Sequence, residues 1–385
     1  MPATAINCGK PFEDIRIRDE VVTWIRAKNG YHSIQILRAL AALLVALMHL
    51  IFFYCDSIKY IGGPQPHMAT LFDFKGFGGS GMQIFFVISG FIMAYLYDIG
   101  ETKSFSDFVI RRLTRIVPLY WIATLLWAYV LNTPGSFPLS RVLQSLFFIP
   151  RPDNTAVLGP GWSLNFEMFF YMLFGLSALV FRVSFLWVAV VFLVFNALAE
   201  VTGFYVFRLY SDPIVWNFIA GITIFHIHRL PWVRREASAI LLTGVVVLVS
   251  SIFWHVPDSS YGIRQFLPWG VPSMLIVLGA VGLEADGRGA RLFGSRVLLE
   301  LGNASYSLYL IHTMCFIGVS SLLLYKMNVQ KYIGPDGAIL LYLAVCCGIA
   351  VVVHRLIEKP ATRITRRLVA FGSRVFTRRA DNTSA

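Results

Sequence analysis

Arg38, His49 and Glu167 are ionisable side chains inside stretches that otherwise read as membrane helix. Such residues are costly in hydrocarbon and persist where they pair, bind a ligand or move a proton. In IQILRALAALLVALMHLIFF, residues 34–53, eleven residues separate Arg38 from His49. At ~100° per residue that is about 20° from a whole number of turns, and the rise is roughly 16 Å. Both side chains therefore leave one face of one helix. An imidazole at depth suits general base work, and an arginine nearer the helix start suits an anion. Taken singly, Arg38 also fits a snorkelling anchor and His49 a hydrogen-bonded core histidine.

Two further stretches extend this set. FVIRRLTRIVPLYW, residues 108–121, carries Arg111, Arg112 and Arg115 at the start of an apolar run. Arg112 and Arg115 are i, i+3 neighbours and can hold a phosphate through charge-assisted bonds. Arg111 reads as ordinary positive-inside decoration. GPGWSLNFEMFFY, residues 159–171, carries Glu167 roughly 10 Å into its apolar region. That matches the depth of His49 within its own span, so Glu167 is expected to orient or charge the imidazole. A phosphorylated donor on one side and an acceptor on the other fit this layout. An acyl thioester of coenzyme A, with its long arm, would bridge the depth. A permease or proton-coupled transporter would also place Arg38, His49 and Glu167 within spans, and the residues alone leave both readings open.

The elements that must position these groups are membrane helices. Of 385 residues 57% are hydrophobic and 14% charged, with a mean hydropathy of +0.66, against about 25% charged in soluble domains. The expected fold is all-α and integral to the membrane. Ten spans are predicted, at about 34–55, 77–98, 116–133, 161–181, 184–202, 212–228, 237–254, 266–284, 301–325 and 338–357. No transporter-like internal repeat stands out. With both termini on one side, that side collects 24 of the 33 lysines and arginines; the other holds 8. The positive-inside rule then puts both termini in the cytoplasm. The organisation is a tail over 1–33, a membrane domain over 34–357 and a basic tail over 358–385 that lies against anionic lipid headgroups. Topology thus accounts for most of the +12 net charge, which argues against nucleic acid as a partner. Cys8, Cys55, Cys315, Cys346 and Cys347 lack metal or redox spacing and read as small core residues. His226 and His228 do not share a helical face, so no metal site is expected there. His32, His67, His255 and His354 have no evident partners.

Six blocks, LRALAALLVALMH, GMQIFFVISGFIM, FVIRRLTRIVPLYW, GWSLNFEMFFY, SYSLYLIH and IEKP, occur in an order that resembles the membrane acyltransferase-3 family. The likeness is to the ExoZ-like branch of exopolysaccharide O-acetyltransferases and runs from about residue 33 to 361. It implies a catalytic histidine at His49 and donor-side arginines at Arg38, Arg112 and Arg115. Glu167 matches the family's intramembrane glutamate and Ser89 its second-span serine, while Tyr306, His312 and Glu358 fall at recurrent positions. Ser89, in ISGF, reads better as a packing notch than as a nucleophile. Ser89, Tyr306 and His312 are the expected cavity-lining residues, structural hydrogen bonding being the equal alternative for His312, and Glu358 is expected to pair with a cytoplasmic arginine. The implied activity is transfer of an acetyl or similar acyl group from acetyl-CoA to a sugar hydroxyl of a polysaccharide or lipid-linked oligosaccharide. The implied location is the bacterial inner membrane, with no metal.

Overall fold

The computed structural model describes residues 31–70, 74–100, 104–131, 135–177, 186–254, 263–369 and 371. Among these, every regular element is helical. The main helices are α1 (His32–Ile61), α2 (Phe74–Asp98), α3 (Phe105–Leu126), α4 (Trp162–Gly175) and α5 (Leu186–Thr202). They continue as α6 (Trp216–Ile227), α7 (Pro231–Ser250), α8 (Val271–Ala285), α9 (Ser305–Ser320) and α10 (Gln330–Val353). Seven stretches are long and apolar enough to cross a membrane, corresponding to α1, α2, α3, α7, α8, α9 and α10. The shorter α4, α5 and α6 occupy the other three expected positions. The chain is an all-α, multi-pass membrane protein.

The first helix is the organising element. It packs against α2, α8, α9, α10 and the short helix Arg296–Asn303. Ala39, Ala41, Ala42 and Ala46 are wholly buried along it, so neighbouring backbones can come close. Its first turn leaves backbone N–H groups without intrahelical acceptors. Glu284, at the end of α8, supplies the acceptors. Its carboxylate takes the N–H groups of His32 (2.8 Å) and Ser33 (2.9 Å) and the Ser33 hydroxyl (2.5 Å). Negative charge at a helix N-terminus is also favoured by the helix dipole.

The second helix is held from both sides by small residues. At its crossing with α6, a methyl on Gly90 would land on the Phe218 carbonyl, and one on Gly221 on the Val87 carbonyl. Next to this crossing Asn217, wholly buried, donates its amide to Gln83 and to the Ile214 carbonyl. The packing notch of ISGF is therefore Gly90, and the neighbouring Ser89 points to other work.

The last helix runs further than the predicted span. It begins at Gln330, bends at Gly334 (φ 74°) and stays helical to Val369. At His354–Glu358 it widens into a π-helical turn that buries both end residues, so residue 358 belongs to the bundle rather than to a tail. Residues 1–30 and 372–385, which hold most of the expected amino-terminal tail and half of the expected carboxy-terminal one, lie outside the described residues, as do Cys8 and His255.

Gly90→Val should lower the thermal-unfolding midpoint of the detergent-purified protein, by the equivalent of about 1–3 kcal/mol or more, because a backbone carbonyl cannot yield. Gly79→Ala, where an added methyl meets nothing within 4 Å, should leave that midpoint unchanged.

Candidate active site

Five helices surround one cavity. It is lined by Arg38 of α1, Ser89 of α2, Arg115 of α3, Glu167 and Tyr171 of α4, and Tyr306 and Tyr309 of α9, among apolar neighbours. About 720 Å³ of space is unfilled by atoms, its mouth included. The 3.6-residue period explains how each helix contributes. Glu167 and Tyr171 are i, i+4, Tyr306 and Tyr309 are i, i+3, and Arg112 and Arg115 are i, i+3.

The charges are unbalanced. Arg38 and Arg112 are buried, at 9% and 8% exposure. The Arg112 guanidinium lies 6.0 Å from the Phe108 ring and 5.9 Å from the Tyr171 ring, and its Nε has no hydrogen-bond partner. Among the described residues, neither Arg38 nor Arg115 forms an ion pair. Two carboxylates act on this group: Glu358 reaches Arg38 electrostatically, and Glu167, in the cavity wall, accepts hydrogen bonds from the hydroxyls of Ser89 (3.2 Å) and Tyr171. Arg111 behaves as expected of surface decoration, bonding Asp107 at 3.0 Å on the exposed face of α3.

His49 stands apart from this cavity. Its Nδ1 lies 2.9 Å from the Val45 carbonyl of its own helix. A carbonyl only accepts, so Nδ1 carries the proton and Nε2 holds the lone pair of a base. The ring facing it belongs to His312, 4.9 Å away between centroids. His312 is wholly buried and has the same arrangement: Nδ1 donates to the Tyr309 carbonyl (2.7 Å), and Nε2 has no partner. Tyr309 separates the two regions, lining the cavity on one side and meeting His312 at 6.1 Å between ring centroids.

This overturns the expectation that Glu167 orients His49. The two were expected at equal depth, yet Glu167 lies with Arg38 and the histidine pair lies further along. Counting four residues from Glu167 back to Ser163 on α4, and three from Tyr309 to His312 on α9, the offset is roughly 10 Å along the helix axes. The two counts meet where the Ser163 and Tyr309 hydroxyls lie 2.7 Å apart. The cause is the start of α4. The turn Gly159–Gly161 is sunk into the bundle, with the Pro160 carbonyl bonded by the Tyr309 hydroxyl (2.8 Å) and Gly161 packed on Tyr120. Position within an apolar run therefore understates the depth of Glu167.

Other placements also differ from expectation. Glu358 pairs with no arginine; it accepts from Ser307 (2.6 Å) and lies 2.7 Å from His354 Nδ1, all three being buried. Arg355 bonds Glu300 instead. His354, expected to lack a partner, is thus engaged, and so is His67, bound to Asp336 at 2.9 Å. His228 accepts the Tyr31 hydroxyl (2.9 Å) while donating to the Phe225 carbonyl. Tyr306 donates to the Ile116 carbonyl of α3 (2.7 Å). The sequence reading passed over Ser163, Tyr171 and Tyr309. The available signal for Tyr171 was its i+4 spacing from Glu167.

The family model described as an acyltransferase domain, Acyl_transf_3, matches residues 31–355, the whole region that builds these sites. The chain belongs to this acyltransferase-3 family. The exopolysaccharide production protein ExoZ of Rhizobium meliloti (strain 1021) is 33% identical over 74% of this chain and 90% of its own length. Acyltransferase MdmB of Streptomyces mycarofaciens is 26% identical over 87% of this chain and 92% of its own length. An O-acetyl transferase of Shigella phage Sf6 is 28% identical over 36% of this chain and 44% of its own. No solved structure matches the chain. The ExoZ-like resemblance read from the six blocks is thereby borne out, and the arginine-lined cavity and the histidine pair both lie in the acyltransferase domain.

Removing one of the two donors on Glu167, by Tyr171→Phe or Ser89→Ala, leaves a half-buried carboxylate with half its bonds. Each change should cost about 1–3 kcal/mol, read as a lower thermal-unfolding midpoint in detergent, and the double variant should lose more than either single one.

Proposed function

We propose that this membrane acyltransferase transfers an acetyl or similar short acyl group from acyl-CoA to a sugar hydroxyl of an exopolysaccharide or other cell-surface glycan. The acceptor is the polymer or a lipid-linked oligosaccharide, and the setting is the bacterial inner membrane with both termini in the cytoplasm. The observation that carries this reading is the excess of cationic groups at one end of the cavity. Arg38 and Arg115 line it and Arg112 lies behind Tyr171, two of the three buried, with Glu167, tied to Ser89 and Tyr171, and Glu358 as the carboxylates within electrostatic reach. Guanidinium groups kept from water without counter-ions are costly and call for an anionic ligand. The phosphates of coenzyme A supply that charge. The names of the relatives, an exopolysaccharide production protein and an O-acetyl transferase, support the glycan acceptor.

In this reading the arginines hold the donor's phosphates, and Glu167 offsets part of the repulsion among them. The donor's arm extends past Tyr309 toward His49. His49 Nε2 takes the proton of the sugar hydroxyl as its oxygen bonds to the acyl carbon. As the carbon–sulfur bond breaks, the same nitrogen returns the proton to the departing thiolate. If His49 instead accepted the acyl group first, ping-pong kinetics would follow.

Membranes given labelled acetyl-CoA should transfer label to glycan, and His49→Ala should lower that transfer by ~10²–10⁴. Equal labelling in both would remove the catalytic role of His49 and leave room for a transporter. Arg112→Ala/Arg115→Ala should raise the donor KM by about tenfold or more, as expected for the loss of charge-assisted bonds. An unchanged donor KM would end the phosphate assignment.

A further inference from the structure

On another side of α1, that helix, α10 and the short helix Arg296–Asn303 meet around an open groove. About 1110 Å³ there is unfilled by atoms, the open side included. Its wall on α10 is a single helical face, since Leu340, Leu343, Ala344, Cys347, Gly348 and Val351 recur every few residues. Leu43 of α1 and Val297 and Leu301 of the short helix complete the apolar lining. A methyl added at Gly348 would meet nothing within 4 Å, so the protein's own side chains do not take up this space. The short helix cannot slide inward to close it. A methyl on Gly302 would already land on the Gln35 carbonyl of α1, so the two backbones are in contact.

The groove has the length and polarity of one bilayer leaflet. Eleven residues separate Leu340 from Val351, a rise of roughly 16 Å, and half of the hydrocarbon core is about 15 Å. One turn past Val351 the same face carries Arg355, and the short helix sets Arg296 and Glu300 at that end. Glu300 is engaged by Arg355, whose Nε and Nη2 lie 2.9 and 2.8 Å from its Oε1. Lys359 acts electrostatically on the same carboxylate. Arg296 is exposed and forms no ion pair among the described residues. Three cations therefore stand against one carboxylate at the polar end of an apolar channel. A snorkelling anchor accounts for an arginine at a helix end, but not for the unfilled apolar space that leads up to it.

We infer that this groove is a binding site for one anionic glycerophospholipid. An acyl chain lies along the α10 face, and the phosphate headgroup meets Arg296 beside the Glu300–Arg355 pair. Charge decides the lipid class. A headgroup with net negative charge offsets the surplus at this end, whereas a zwitterionic one brings a cation of its own. The site goes beyond the acyl-transfer reading and does not depend on it, since no residue of the groove lines the arginine cavity. The bound lipid bridges α10 and the short helix, both of which pack on α1, the helix that carries Arg38 and His49.

The test takes the full chain, purified and delipidated in detergent, and titrates it with phosphatidylglycerol or with phosphatidylcholine of the same acyl chains. Native mass spectrometry counts retained lipid, and the thermal-unfolding midpoint reports its effect. Phosphatidylglycerol should be retained as one molecule with ~5–10-fold higher affinity and should raise the midpoint. Arg296→Gln should remove that preference. Gly348→Leu, which fills the groove and leaves every charge in place, should weaken retention of both lipids; Cys347→Leu takes its place if that variant does not fold. Arg291→Gln, an exposed arginine outside the groove, should bind as the native chain does. Equal affinity for the two lipids would overturn the inference, as would native retention in both Arg296→Gln and the groove-filling variant. A polyprenyl phosphate that displaces phosphatidylglycerol would overturn it in favour of a lipid carrier. A dimer that excludes lipid would overturn it in favour of a second copy of the chain.

Discussion

Three guanidinium groups, two of them buried, gather among five helices around Glu167, with Glu358 in electrostatic reach of Arg38, and the rest of the site follows from that excess of positive charge. A buried ion costs several kcal/mol unless it is paired. The bundle meets part of this cost through aromatic faces, with Arg112 between Phe108 and Tyr171. It spends the carboxylate of Glu167 on hydroxyl donors, and that of Glu358 on Ser307 and His354, rather than on close guanidinium pairs. A salt bridge here would neutralise the cluster and leave it inert. Held at a short remove, Glu167 limits the repulsion among the arginines while keeping their donors free for an anionic ligand. The helices bear the energetic burden of holding the charges in place, which is why α1 is clamped so thoroughly at its start by Glu284 and along its length by alanines.

The fold was legible in the sequence because the membrane imposes a simple rule: backbone polar groups must be satisfied within helices. The spans predicted from residues 34, 77 and 116 became α1, α2 and α3, the first two starting within a few residues of expectation and the third about three turns earlier. Arg38 and His49 were legible for the same reason, since a helix face is set by residue spacing alone. What spacing cannot express is where a helix begins relative to its neighbours. The sunken turn Gly159–Gly161 carries α4 inward, and with it Glu167 moves from the level of the imidazole to the level of the arginines. The carbonyl of Pro160 tolerates that burial because Tyr309, 149 residues away in sequence, donates to it. No local pattern announces such a bond.

Ser89 and Gly90 show the same limit at finer scale. ISGF reads as a small-residue notch, and a notch is what it is, but the two small residues divide the work. Gly90 meets the Phe218 carbonyl and permits the crossing with α6, while Ser89, turned by about 100°, reaches Glu167. Adjacent residues on a helix face different neighbours, so composition identified the motif and only the packing could divide it. Glu358 and His354 repeat the lesson at the far end of the bundle. The widened π-helical turn brings both into a buried group with Ser307, where a tail had been expected to hand Glu358 to an arginine.

The separation between the arginine cluster and the histidine pair has a mechanistic consequence of its own. General base catalysis needs a neutral imidazole before the reaction and tolerates an imidazolium only in passing. Three arginines beside His49 would suit binding of the donor but would oppose each protonation of the ring. Placing the charges at Arg38 and the base eleven residues along the same helix resolves that conflict. In the proposed reaction the donor's polar end would then meet fixed positive charge, and its reactive end the neutral imidazole of His49. A single straight helix is the simplest part able to hold both ends at a constant distance. α9 runs alongside it with Tyr306 and Tyr309 at the cavity and His312 beside His49, so each level of α1 is matched by a level of α9. The long arm of the proposed coenzyme A thioester donor would fit the spacing that such a pair of helices keeps.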